Sequence, residues 1–102
     1  MELDVYSQTE RGKKVWRWRA VENGRTYLFS EEPFSSREIC RESAKKAKLA
    51  KLSVKQSKHG YWILLRAKNG ETMGRSALKK NLALLEPIMD SFYKKFKRMH
   101  LT

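Results

Sequence analysis

Two stretches of the chain repeat one another: residues 16–30 read WRWRAVENGRTYLFS and residues 62–76 read WILLRAKNGETMGRS. Trp16 and Trp62, Asn23-Gly24 and Asn69-Gly70, Thr26 and Thr72, and Ser30 and Ser76 recur at a constant separation of 46 residues. An internal repeat of this kind marks one supersecondary unit used twice. Each copy holds an Asn-Gly pair between apolar runs, and both residues tolerate the positive φ of a tight hairpin. A helical pattern follows each hairpin. At 102 residues the chain is too short for two independent cores, so the two units have to share one.

In the first unit, Leu3–Ser7 alternates apolar and polar residues and reads as a strand with Leu3 and Val5 on one face. Thr9–Lys14 is a polar turn around Gly12, and Val15–Val21 and Arg25–Ser30 are the hairpin strands. Pro33 blocks strand continuation. Ser35 or Ser36 then caps a helix expected over 36–52, and Glu38 stands at capping-box distance from Ser35. Cys40, Ala44 and Ala47 form its narrow apolar stripe. The second unit repeats this plan with strands at Ser53–Ser57, Tyr61–Ala67 and Glu71–Ser76 and a helix over 81–99. Leu82, Leu85, Met89, Phe92, Phe96 and Met99 recur there at helical spacing, and Pro87 either opens the helix or kinks it. The predicted fold is α+β. Two tandem ββ(β)α repeats, 1–52 and 53–102, form one twisted antiparallel sheet with the helices packed on one face.

Which strand residues face outward depends on register. The Asn-Gly match gives an offset of 46, whereas strand alternation fits an offset of 45. At 45, Trp16, Trp18 and Ala20 align with Tyr61, Ile63 and Leu65 as the buried face. Arg17, Arg19 and Val21 then share the opposite face with Trp62, Leu64 and Arg66. Slipping by one residue would bury Arg17 and Arg19, which costs far too much without partners. A one-residue difference in loop length between the repeats reconciles the two offsets. The expected core is Trp16, Trp18, Tyr61, Ile63, Leu65, Met89, Phe92 and Phe96.

Charge gives the main functional clue. The chain carries +12, with +3 in residues 1–50 and +9 in residues 51–102. Such a balance favours an anionic partner, of which nucleic acid is the commonest, although Lys-rich surfaces also serve solubility. On the outer sheet face, Arg17, Arg19 and Arg66 would contact phosphates or base edges, and Trp62 would offer a stacking surface. A second candidate is the run Lys45, Lys46, Lys48, Lys51, Lys55 and Lys58, which holds no acidic residue and could follow a phosphate backbone or simply be solvated. Lys94, Lys95, Lys97 and Arg98 suit the C-terminal end of a helix dipole.

Catalysis has little support. Cys40 is the one cysteine and sits on the small-residue stripe; His59 lies in a turn and His100 near the end of the sequence, neither beside a recognisable motif. No phosphate-binding or dinucleotide-binding glycine loop is present, so no cofactor or metal is expected. A lone cysteine and the absence of a signal peptide point to a reducing, cytoplasmic setting. The apolar runs Ile63–Leu65 and Leu82–Leu85 are too short to span a membrane.

The segments Arg66-Ala67-Lys68-Asn69-Gly70-Glu71-Thr72 and Ser30-Glu31-Glu32-Pro33-Phe34-Ser35-Ser36, with Ser43-Ala44-Lys45-Lys46-Ala47-Lys48, resemble the YegP-like family of small proteins built from tandem repeats of roughly 50 residues. The resemblance spans nearly the whole chain and implies a duplicated ββ(β)α sheet covered by helices on one face. The second connector, Ala77–Asn81, lacks the family's aromatic-x-Ser pattern, and Pro87 interrupts the last helix. The family brings no defined activity. Residues 11–50 are also similar in pattern to the arm-type DNA-binding domains of phage integrases and to a plant DNA-binding domain of the same plan.

Two functions follow. One is a non-enzymatic nucleic-acid-binding protein acting on DNA or RNA. The other is a small interaction protein, such as a phage-type or stress-type inhibitor, that binds a larger host complex with Trp62 as anchor. A neutral surface around Trp62 would favour the second. Either fits a monomer or a homodimer formed by repeat exchange.

Overall fold

The computed structural model describes residues 1–99. Six strands form one open antiparallel sheet: β1 (Glu2–Glu10), β2 (Lys13–Glu22), β3 (Arg25–Ser30), β4 (Lys51–Ser57), β5 (Gly60–Arg66) and β6 (Thr72–Arg75). The strand order is β1-β2-β3-β6-β5-β4, so the two three-stranded units meet at β3 and β6. The seam is short, pairing Phe29 with Arg75 and Ser30 with Gly74. Two helices, α1 (Arg37–Ala47) and α2 (Glu86–Lys94), accompany the sheet, and 3-10 turns at Leu82–Leu85 and Phe96–Arg98 flank α2.

The turns follow from local chemistry. Arg11-Gly12 and Asn23-Gly24 are two-residue hairpin loops with positive φ at both positions, and glycine adopts that φ without steric cost. The second Asn-Gly builds a different loop. Ala67 and Glu71 are the closing pair, Lys68-Asn69-Gly70 lie between them, and Asn69 Oδ1 accepts from the Glu71 N–H at 3.0 Å. That loop is one residue longer than its counterpart, which is why β2 matches β5 at 45 while the tips and the strands that follow them, β3 and β6, match at 46.

Trp18, Ala20, Ile63 and Leu65 are all fully buried, as the 45 offset requires. Trp16 and Trp62 therefore lie on opposite faces although they align in sequence. The true counterpart of Trp16 is Tyr61. Trp16 exchanges backbone hydrogen bonds with Phe34, and Tyr61 does the same with Lys79. Ser30 Oγ accepts from the Trp18 N–H, and Ser76 Oγ accepts from the Ile63 N–H at 2.9 Å. The repeated serine thus satisfies a buried strand donor in each unit.

The helices differ from the sequence expectation. Ser36 is the N-cap of α1, accepting from the Ile39 N–H, so no Ser35–Glu38 capping box forms. The helix ends at Ala47 rather than Leu52, because β4 has already begun at Lys51. The helix expected over 81–99 is broken. Asn81 caps the first 3-10 turn through Leu84 N–H, taking the role of Ser36 without the aromatic-x-Ser pattern. Pro87 then sits in the first turn of α2, where its missing N–H costs nothing. The break turns Leu82 outward to 53% exposure and buries Ile88 instead. Trp16, Tyr61 and Met89 border the core and are only partly buried; Leu85, Phe92 and Phe96 are inside it.

Each helix reaches across to the other unit. The ring of Phe96 stacks on Trp18 of β2 at 6.1 Å, and Phe92 stacks on Phe96 at 5.5 Å. Glu22, buried at the end of β2, accepts hydrogen bonds from Ser91 of α2 and from Lys95. Lys95 and Ser91 hold its carboxyl below the usual carboxylate range. In the opposite sense, Lys46 and Leu49 at the end of α1 border the loop of the second hairpin. A buried carboxylate stripped of its partners is strongly unfavourable, so these bonds fix where α2 sits.

Candidate nucleic-acid interface

The strand register places charged side chains on the uncovered face of the sheet. On β2 these are Arg17 and Arg19, and β1 sets acids against them. Asp4 lies directly across from Arg19, and Glu10 and Glu2 face the same way. Arg17 makes a two-point contact with Glu10, Nε to Oε2 at 2.7 Å and Nη2 to Oε1 at 2.9 Å. Arg17, with Gln8, holds the Glu10 carboxyl down at about 2. Arg19 Nε donates to Asp4 at 2.8 Å, and its guanidinium lies over the Tyr6 ring at 4.9 Å. The two arginines expected to meet phosphate are each already engaged by a carboxylate. That half of the face carries cancelling charges.

The other half does not. No acidic residue occurs in β4, β5 or β6. Trp62, Leu64 and Arg66 of β5 face outward, opposite Lys55, Ser53 and Lys51 of β4. Arg75 of β6 lies across from Leu64, and its guanidinium covers the Trp62 ring at 5.7 Å. The acid paired with Arg75 is Glu31 of the connector, at 3.9 Å. The Nε of Arg66 is buried, and among the described residues nothing accepts its hydrogen bond. Lys55 and Arg75 thus flank the Trp62 indole, and Lys51 and Arg66 form a second cationic pair farther along the same face. Arg75 was missed from sequence. Carrying the 46 offset of the Ser30/Ser76 match into β6 aligns Arg75 with Phe29, which faces outward beside Arg19, and would have placed it on the open face.

The lysine run is divided. Lys45, Lys46 and Lys48 belong to α1 and its C-cap on the covered side, where Lys45 pairs with Glu42 at 3.2 Å and Lys48 donates to the Met99 carbonyl. Lys51 and Lys55 join the Trp62 cluster on the open face, and Lys58 sits in the turn between β4 and β5. A stretch continuous in sequence is therefore divided between two sides of the sheet. The terminal basic segment is largely occupied: Lys94 pairs with Asp90 at 3.0 Å, Lys95 with Glu22, and Lys97 lies near the Phe92 and Tyr93 rings.

Among the described residues, no group of three or more His, Cys, Asp and Glu side chains gathers in a way that could hold a metal ion. His59 lies in the β4–β5 turn, and His100 is outside the described residues. Cys40 is fully buried, and burial pushes its thiol up to about 11. A thiol so placed is a small core hydrophobe and not a nucleophile. Cys40 is expected to resist an aromatic disulfide reagent in the native protein and to react fully in denaturant. Rapid labelling of the native state would contradict its burial. No described helix is long and apolar enough to cross a membrane.

No family model matches the chain, and no curated protein sequence matches it. A solved structure does: the solution NMR structure of a UPF0339 protein from Shewanella oneidensis, with a TM-score of 0.74 over 95% of this chain and 85% of that one, at 16% identity. YegP-like proteins are UPF0339 proteins, so this likeness falls where the motif resemblance pointed. At that identity, what the two proteins share across nearly all of this chain is the fold.

Proposed function

We propose that the protein is a non-enzymatic, divergent YegP-like protein of the cytoplasm that binds nucleic acid on the open face of β4, β5 and β6. The observation that carries this reading is the row of cations on one face, Lys55 and Arg75 beside Trp62 and Lys51 with Arg66 farther along, on three strands without an acidic residue. Cations that track a backbone, combined with an aromatic platform, suit single strands, because every base has a face to stack. A host-protein partner at Trp62 would call for a neutral surround, and the surround is cationic. Arg17 and Arg19 are secondary on this reading, since a phosphate would have to displace Glu10 or Asp4.

The test is fluorescence anisotropy with labelled single-stranded DNA, duplex DNA and RNA across a salt series. Lys51→Ala with Lys55→Ala is expected to weaken single-strand binding and to flatten the log–log salt slope by about 1.4, the value for two phosphate contacts. Trp62→Ala should cost about tenfold or more for single strands. Arg19→Ala should change little. An unchanged slope in the lysine variant, or equal low-salt binding to all three probes, would remove the proposal.

A further inference from the structure

A second surface has the opposite sign. A trough runs along the covered side of the molecule between α1 and β6. Its middle section encloses about 440 Å3 and is bordered by Phe34, Ile39 and Met73. One end extends past the connector Glu31-Glu32, and the other runs to Leu49 and the loop of the second hairpin. The three sections share Glu71 and Met73 as lining residues and so lie side by side.

Its lining is apolar below and acidic around. Ile39 is 53% exposed and Leu49 81%. Isolated exposed apolar residues are ordinary, but these two border the same trough as Phe34 and Met73. Glu31, Glu32, Glu38, Glu42 and Glu71 line it, with Lys46 and Lys68 as its cations. The whole chain has 11 acidic residues and a net charge of +12, so nearly half of its carboxylates border this one trough. Glu42 pairs with Lys45 and Glu31 with Arg75, both across solvent-exposed contacts that are weakly held. Among the described residues, Glu32, Glu38 and Glu71 have no cationic partner.

We infer that this trough docks a positively charged, amphipathic segment of another protein. Lysine or arginine side chains of the segment would reach the carboxylates at the rim, and its apolar side chains would cover Ile39, Leu49 and Met73. Nucleic acid is repelled here by like charge. A second copy of this chain is a poor occupant, because its own basic-apolar stretch is committed: Phe96 is buried and Lys95 is held by Glu22. The inference does not rest on the open-face reading: the trough and the Trp62 cluster share no residue, and only the Glu31–Arg75 pair links them.

The probe is a short labelled Lys/Leu peptide, with its Glu/Leu counterpart as control, titrated by anisotropy at near-physiological salt. The Lys/Leu peptide is expected to bind and the Glu/Leu peptide is not. Glu38→Lys with Glu42→Lys should weaken binding about tenfold or more, and Ile39→Ser with Leu49→Ser several-fold. All four positions are exposed, so both variants should keep the melting temperature. Lys55→Glu on the open face should leave peptide binding intact whatever it does to nucleic acid. No loss in either trough variant overturns the inference. A loss confined to the charge variant overturns it too, as generic ion attraction. A dimer abolished by the same substitutions would replace the foreign partner with a second copy.

Discussion

Replacing Trp18 with alanine is expected to lower unfolding stability by about 3–5 kcal/mol, the range for removing a large buried aromatic. Trp18 has no exposed surface, stacks on Phe96 and donates from its indole N–H to Ser43 of α1 at 3.4 Å. Its ring also fills the space left by Gly74: a Cβ there would lie 2.8 Å from the ring and 2.8 Å from the Phe29 carbonyl. The substitution therefore removes at once the ring's contacts with α1, with the 3-10 turn that follows α2 and with the seam. A domain of this size has about 5–15 kcal/mol in total, so the variant should stand near the limit of folding. Guanidinium unfolding followed by far-UV circular dichroism measures the loss. A cost below about 1.5 kcal/mol would mean that neighbouring groups collapse into the void and that Trp18 is not central.

Gly60→Ala should be comparably damaging, at about 4 kcal/mol or more. Gly60 has φ of +140°, where an L side chain is strained, and its added Cβ would lie 2.2 Å from the Lys79 carbonyl oxygen. That oxygen accepts from Tyr61 N–H at 2.8 Å in the bridge that ties the second connector to β5. Side-chain repacking cannot relieve a clash with backbone, so the bridge has to open. Hydrogen exchange should show loss of protection at Tyr61 and Lys79 before any general loss. Gly12→Ala is the contrast. It shares the positive φ but meets nothing within 4 Å, so its cost should be limited to backbone strain of about 1–2 kcal/mol.

Much of this was legible in the sequence because it is local. The hairpins, the Cys40–Ala44–Ala47 stripe and the inward set Trp18, Ala20, Ile63 and Leu65 follow from turn chemistry and alternation. What was not legible depends on partners distant in the chain. Arg17 and Arg19 look free until β1 is paired with β2, although the outward alternation of Glu2 and Asp4 was already a hint. The lysine run looks continuous because sequence adjacency hides the change of side between α1 and β4. The early end of α1 and the 3-10 turn before Pro87 were missed for a related reason. The helical spacing of apolar residues persists in both places, and it is the onset of β4 and the capping by Asn81 that decide the boundary. For the candidate interface, Trp62, Arg66, Lys51 and Lys55 were identified, and Arg75 needed the register of the third strand.

The reach of α2 across the sheet also governs how the chain can come into being. The bonds that seat it join Glu22 to Ser91 and Lys95, residues 69 and 73 positions apart. During synthesis the first hairpin emerges seconds before the aromatic rings that will cover Trp18, at about 5–20 residues per second. For that interval a tryptophan-bearing sheet face and the unpaired edge of β3 stand open together. The similarity of the two units thus does not make them modular. The first becomes complete only when the second arrives, and the nascent half is the stage at which pairing with a wrong neighbour is easiest.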